Sequence, residues 1–339
     1  MYTSELLKNK EYDFLRTNEH LGERIIMLGL AGSYAYGTNN ENSDIDIRGV
    51  ALNRSCELIG LANYEQYVDD NTDTTIYTFN KIITLLLSCN PNTIELLGMR
   101  TENYLYLNEM GRELIDNADM FLSKRAIGSF GGYADAQLRR LQNALERDKY
   151  PQPEKEVHLY NSIKNAMNDI ISHYQKYAEN GVKLYIDKSD KPEMETEIFM
   201  DNTLKHYPLR DYVGICNEMN NIVKDYNKLG RRNKKKDDDH LNKHAMHLLR
   251  LFMMAIDILE KEKINTYREN ELDLLLSIRR GDYQKSDGTY KDDFYALISD
   301  YEKRLEYAAK NTALPDEPDM NKVSDYVMAV NKKVILNGY

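Results

Sequence analysis

The chain has no tryptophan, and only three of its 339 residues are cysteine. Cys56, Cys89 and Cys216 stand far apart and make no Cys-x-x-Cys pair. This excludes a zinc ribbon, a thioredoxin-like redox centre and a disulfide-stapled scaffold, and the three read as ordinary thiols of a reducing compartment. No apolar run approaches the ~18 residues of a membrane span. Met1 to Lys10 is polar and lacks the pattern of a secretory leader, so a cytoplasmic protein without a membrane partner is expected. Positive charge is short too. With 45 Lys and Arg against 55 Asp and Glu, the net charge is −10. The chain is therefore no general basic nucleic-acid binder, and any RNA contact has to be a local patch. Internal repeats and low-complexity tracts are missing. The 26 tyrosines are abundant, but as composition alone they speak for packing more than for base stacking.

What is present is concentrated in one stretch. Ile25 to Leu30 is an apolar run that reads as a buried strand. Gly32-Ser33 turns the chain, Gly37 to Ser43 is a polar, Asn-rich loop, and Ser43 to Leu52 returns to strand character. Strand side chains switch faces at each residue, so Asp44, Asp46 and Arg48 share one face and Ile45 and Ile47 the other. The isoleucines pack inward and the carboxylates stand about 6–7 Å apart. Like charges that close raise each other's pKa unless a cation sits between them. Hard carboxylate oxygens without Cys or His select Mg²⁺ or Mn²⁺. Gly32 and Ser33 supply the other half. A Gly-Ser turn opening a short helix presents free backbone N–H groups, the glycine lets a phosphate approach, and the hydroxyl adds a donor. An anion cradle facing a metal-ready pair suits nucleotidyl transfer.

Gly-Ser, a spacer, then apolar-Asp-apolar-Asp resembles the signature of the DNA polymerase beta-type nucleotidyltransferase superfamily. The fuller string, Gly32-Ser33…Tyr36-Gly37…Ser43-Asp44-Ile45-Asp46-Ile47-Arg48-Gly49-Val50, resembles one branch of it, the predicted nucleotidyltransferases associated with RNA repair. The resemblance implies a third carboxylate on a following strand, shortly before a Tyr and a helix beginning with Lys. Asp73…Tyr77…Lys81 fits that pattern, with Asp69 and Asp70 as competitors. It also implies a role for a Lys-His-x-x-His-x-x-Arg helix, here Lys243, His244, His247 and Arg250, and for Tyr267-Arg268 and Ile278-Arg279-Arg280-Gly281. These cations would hold the triphosphate or the acceptor. Asn90-Pro91-Asn92…Glu95-Leu96 resembles the same branch, and it has a local explanation: Asn92 at an N-cap, with Glu95 three residues on, is close to a capping box.

Elsewhere the pattern is mostly helical. Met1 to Leu21 reads as a helix, Cys56 to Asn71 as a loop or small insert, and Asp73 to Thr78 as a third strand running into a helix to Ser88. Long helical patterns follow over Ser123–Asp148, Lys155–Asn180 and Asp211–Leu229, with Pro151-Gln152-Pro153 breaking the first two and Gly181 closing the second. Leu184–Ile186 and Glu197–Phe199 suggest a small hairpin. Lys228 to Asp239, basic and then acidic, reads as a solvated loop, with an RNA phosphate-contacting loop as the functional alternative. Over His240–Glu262, Ala245, Leu248, Leu249, Phe252, Ile256 and Leu259 form a buried stripe, and Lys243, His247 and Arg250 lie on another face. Helices over Tyr290–Asn311 and Asp319–Leu336 complete the chain, with Asp319 as an N-cap.

The expected fold is α/β (α+β): a small mixed-sheet nucleotidyltransferase core over residues 1–120, then a mostly helical domain over 121–339 closing the cleft. The expected activity is metal-dependent transfer from an NTP, with Mg²⁺ or Mn²⁺ held by Asp44, Asp46 and Asp73, and with Gly32, Ser33, Arg48, Lys243, His247 and Arg250 on the nucleotide. An RNA end is the favoured acceptor. A partner protein comes next, then a small molecule, and a non-catalytic nucleotide-binding scaffold is the rival of another class.

Overall fold

The computed structural model describes residues 5–41, 43–148, 153–154, 156–157, 159–161, 163–164, 182–192, 194–202, 208–232 and 238–337. Most of the expected Lys155–Asn180 helix, the Pro151-Gln152 break, Gly181 and residues 233–237 of the charged stretch lie outside the described residues.

The protein is mixed α/β, with a five-stranded sheet and a helical C-terminal region. Strands β1 (Ile25–Leu30), β2 (Ile47–Ala51), β3 (Gln66–Asp69), β4 (Thr74–Thr78) and β5 (Tyr104–Leu107) lie in the order β3-β4-β2-β1-β5. β1 is antiparallel to β2 and to β5, β2 is parallel to β4, and β3 pairs antiparallel with β4 at the edge. Ile25 to Gly29 are all buried, so β1 is covered on both faces, and this is why it reads as a continuous apolar run. One cover is the N-terminal segment, whose Leu7, Tyr12, Leu15 and Leu21 pack with Ile25, Leu28, Ile47 and Ile76.

Several expectations need correction. Met1–Leu21 is not one helix. Short turns at Leu6–Lys8, Lys10–Tyr12 and Phe14–Thr17 are separated by Asn9 in extended backbone and end at extended Asn18, since asparagine competes for backbone hydrogen bonds. β2 begins at Ile47 rather than Ser43, so Asp44 to Asp46 approach the sheet without strand pairing, and face alternation does not govern them. Cys56–Asn71 contains β3 and most of a short helix, Ser55–Ile59. The N-cap before Glu95 is Asn90, whose side chain accepts from the Asn92 N–H, because Pro91 already occupies the first helical position.

The longer helices, in chain order, are α1 (Gly32–Tyr36), α2 (Phe79–Leu87), α3 (Glu109–Asp116), α4 (Arg125–Asp148), α5 (Leu209–Arg232), α6 (Asp238–Lys261), α7 (Leu272–Arg279), α8 (Asp292–Asn311) and α9 (Met320–Asn337). α6 is more than a one-sided stripe: every residue from Leu248 to Leu259 is buried, with α7 and α8 packed on it. Asp319 caps α9, accepting from the Asn321 and Lys322 N–H groups. Among the described residues no helix is long and apolar enough to cross a membrane.

The chain packs as two compact units, one of Met1–Arg139 with Asp238–Tyr339 and one of Arg140–Asp237. The second contains the hairpin β6 (Val182–Lys188) and β7 (Thr196–Asn202), paired from Val182↔Asn202 to Lys188↔Thr196, with Tyr185 stacked on Phe199. Everything described below lies in the first unit.

Candidate active site

Ala31 follows β1 and its N–H donates to the Asp46 carbonyl at 2.8 Å, so the turn after β1 is tied to the residue before β2. Gly32 then takes a positive φ of 56° and opens α1. A Cβ at Gly32 would run into the Asp46 carboxylate. Gly32 is thus required twice, by its backbone and by the acidic group lying against its Cα. Gly37 closes α1 at φ 68°, and the Thr38 N–H returns to the Ser33 carbonyl at 2.9 Å. These are the bonds of a left-handed helix cap.

The parallel pairing of β2 with β4 sets the acids side by side. Ile47 lies opposite Thr74, and the Ile47 N–H donates to the Asp73 carbonyl at 3.1 Å, so Asp46 and Asp73 precede neighbouring strands at the same level. Their carboxyl groups share a hydrogen bond. Burial, then the bond to Asp73 and its charge, push Asp46 up to about 6, while Arg48 and Lys243 act against this. Asp73 is held below its ordinary value, chiefly because the Asp46 carboxyl donates to it, with Arg48 helping. Arg48, in β2, donates to the Asp73 carbonyl at 2.6 Å and to its Oδ1 at 3.1 Å. It grips the third acid rather than standing open beside it. Asp73 itself sits at φ 42°, which Asp tolerates better than most residues.

The other sequence candidates are placed as follows. Asp44 is exposed on the approach to β2. Asp70 is exposed in the β3–β4 turn, and Asp69 caps that turn by accepting from the Thr72 N–H and hydroxyl. Ser33 is half-buried in α1. Lys243, in α6, is exposed, and its charge favours the ionised forms of both Asp46 and Asp73. Arg250 is buried flat over the Tyr36 ring, 3.4 Å from its centre, and Tyr36 donates to buried Glu95 at 2.7 Å. Burial pushes Glu95 up, and the Arg250 charge opposes it. Arg268 is buried in an ion pair with Asp257 at 2.8 Å. The Tyr36–Glu95 link was not readable from spacing, since the two lie 59 positions apart and Glu95 looked like a helix-cap residue.

His247 is half-buried edge-on to Tyr133. Burial, and then Arg250, His244 and Lys243, push it well below the ordinary histidine value of about 6.5. It is neutral at pH 7 and offers a hydrogen bond rather than a charge. A histidine whose folded-state pKa is depressed takes up its proton more readily in the unfolded chain. Stability should therefore be full above about pH 6.5 and fall as the pH drops below it. Urea titrations of wild type and His247→Gln from pH 8 to 5.5 should show a smaller acid loss in the variant, and parallel curves would remove His247 as a cause.

Asp46 and Asp73 are hard oxygen donors side by side, and the mutual repulsion of two such carboxylates is what a divalent cation relieves. Asp44 lies two residues upstream. Among the described residues no three His, Cys, Asp or Glu side chains are already closed around a metal position.

A Gly-Ser turn leaving one central strand, with a carboxylate pair at the entrances to its antiparallel neighbour and to the next parallel strand, defines a polymerase-beta-like nucleotidyltransferase. The chain matches RlaP, the RNA repair pathway DNA polymerase beta family, over residues 8–329, and it belongs to that family. No curated protein and no solved structure matches it.

Proposed function

We propose that the protein transfers a nucleoside monophosphate from an NTP to an acceptor hydroxyl, and that the acceptor is an RNA end. The observation that carries this reading is the Asp46–Asp73 pair, hydrogen-bonded to each other against Gly32. The acceptor oxygen bonds to the α-phosphorus, the bond from that phosphorus to the bridging oxygen breaks, pyrophosphate leaves with that oxygen, and the hydroxyl proton passes to solvent. The Gly32-Ser33 turn binds phosphate through its N–H groups and hydroxyl. Lys243 adds positive charge beside the acids. Arg48 holds Asp73 in place. Mg²⁺ or Mn²⁺ would be held by Asp46 and Asp73, with Asp44 as the third oxygen donor, and when bound it lowers the acceptor's pKa and offsets charge on the leaving pyrophosphate.

Labelled ATP, GTP, CTP and UTP, each incubated with Mg²⁺ and total RNA or lysate, test the reading. Label should enter RNA. Label in a protein or a small molecule would move the acceptor to that class, and no transfer to any acceptor would overturn the enzyme. Calorimetry adds a second expectation: NTP affinity should fall at least about tenfold in EDTA, since the acids then repel the phosphates. Equal affinity in EDTA would argue against carboxylates that work through a cation.

A further inference from the structure

His240 and His244 lie on the first turns of α6. They stand four residues apart, so their side chains sit one above the other on the helix surface. Their ring centres are 5.1 Å apart and the ring planes cross at 70°. Asn242, between them in sequence, is buried on the opposite side of the helix and donates to Gln284 at 3.1 Å. His240 is exposed and His244 half-buried. The helix thus fixes the two rings side by side where solvent reaches them.

Two ligands of one transition-metal ion are arranged in this way. Zinc sites use histidines at positions i and i+4 of a helix, with Zn–N of about 2.0–2.1 Å. Two imidazoles on one tetrahedral ion then have ring centres about 5 Å apart. A nitrogen lone pair lies in the plane of its ring. Rings stacked face to face could not both aim at one ion, whereas planes that cross at 70° can. Imidazole nitrogen selects zinc, nickel and copper over Mg²⁺, the reverse of the carboxylates Asp46 and Asp73. The surrounding charges are mixed. The positive end of the helix and Lys243 oppose a cation, and Asp238 and Asp239, in the first turn of α6, offset them. His247 is not a third ligand, because its ring is turned edge-on to Tyr133. Leu241 follows His240 where a zinc protease carries its glutamate base, so the pair holds an ion without supplying that chemistry.

We propose that His240 and His244 together bind one zinc-class divalent ion, at a site separate from the carboxylate pair. Two protein nitrogens leave two tetrahedral positions to water, so the ion exchanges with solvent instead of being locked in. The dissociation constant should be about 1–100 µM, roughly half the binding free energy of a four-ligand structural zinc. The proposal rests on the two rings and not on nucleotide transfer.

Calorimetry of Zn²⁺ binding to the full chain tests it, in excess Mg²⁺ so that the carboxylates are already occupied. The variants are His240→Gln, His244→Gln, the two together, and His247→Gln. Each of the first two should weaken Zn²⁺ about tenfold or more. The double variant should lose little beyond either single one, since a chelate is broken by removing one arm. His247→Gln should stay within about threefold of wild type. Co²⁺ in place of Zn²⁺ should bind without the sulfur-to-metal absorption that a thiol ligand would give. Melting temperatures separate misfolding from lost binding, and if His244→Gln unfolds, the exposed His240→Gln still decides. Three results would overturn the proposal: no Zn²⁺ binding by the wild type, wild-type affinity in the folded double variant, or a loss confined to one of the two histidines. None of these outcomes depends on whether the protein transfers nucleotides.

Discussion

Asp73→Asn should bind NTP within about threefold of wild type and lose transfer by about 10²–10⁴ in rate, the pattern of a group that acts mainly in the transition state. Asp46, packed against Gly32, lies nearer the phosphate turn, so Asp46→Asn should harm binding as well as transfer. Asp73 stands at the mouth of the next strand, held there by Arg48 through both its carbonyl and its carboxylate. Asparagine is the informative substitution because it is nearly isosteric, tolerates the positive φ of 42° and can still accept from Arg48. Folding should survive. Asp70→Asn, in the exposed β3–β4 turn, should transfer at the wild-type rate. Burst and steady-state measurements on the three variants separate binding from chemistry. Full turnover in Asp73→Asn, with loss in Asp70→Asn, would reverse the assignment.

Arg250→Ala should lower stability by about 3 kcal/mol, a fall in melting temperature on the order of 5–10 °C. Two effects add. The guanidinium covers the Tyr36 ring at 3.4 Å, a desolvated cation–π contact of about 2 kcal/mol. Its charge also steadies buried Glu95, which otherwise keeps the Tyr36 hydroxyl and the weaker influence of the Arg48 charge. Because Tyr36 belongs to α1, loosening this cluster should loosen the phosphate turn too. Glu95→Gln in the Arg250→Ala background should restore part of the loss, since it removes the uncompensated charge. If the double variant is no more stable than Arg250→Ala, the buried charge is not the cause. An unchanged melting temperature with lost NTP affinity would place the guanidinium on the ligand instead.

The contrast between these residues shows what the sequence could carry. β1 and the Gly-Ser turn are local, and their spacing is enough to find them. Asp73 entered through the resemblance, with Asp69 and Asp70 as competitors, and the structure sets it beside Asp46 because it directly precedes β4, the parallel neighbour of β2. The start of β2 was not. Asp44 to Asp46 alternate like a strand, yet pairing depends on neighbours, and only the Asp46 carbonyl meets β1, through Ala31. β5 is four residues long and was missed, because a run that short has no period to recognise. Arg250 looked like a member of a polar face with Lys243 and His247. Its partners, Tyr36 and Glu95, lie more than 150 positions away, and no helical wheel contains them. Asn242 and Gln284 were invisible for the same reason, since their bond joins α6 to the turn after α7.

The first unit is built from the two ends of the chain, and this has a consequence on the ribosome. When residue 139 emerges, the sheet and its acids exist, but Arg250 for Glu95, Thr266 for the Glu95 carbonyl and Asn331 for Asn80, 251 positions on, do not. The nascent N-terminal part therefore carries a buried-type carboxyl group without its main cation, Arg250, and an apolar surface without α6, through the whole synthesis of Arg140–Asp237. Closure over such long loops is slow and leaves aggregation-prone surface open. The enzyme can finish folding only after its last helices are released, so its yield in the cell depends on chaperone capacity and translation speed as well as on final stability.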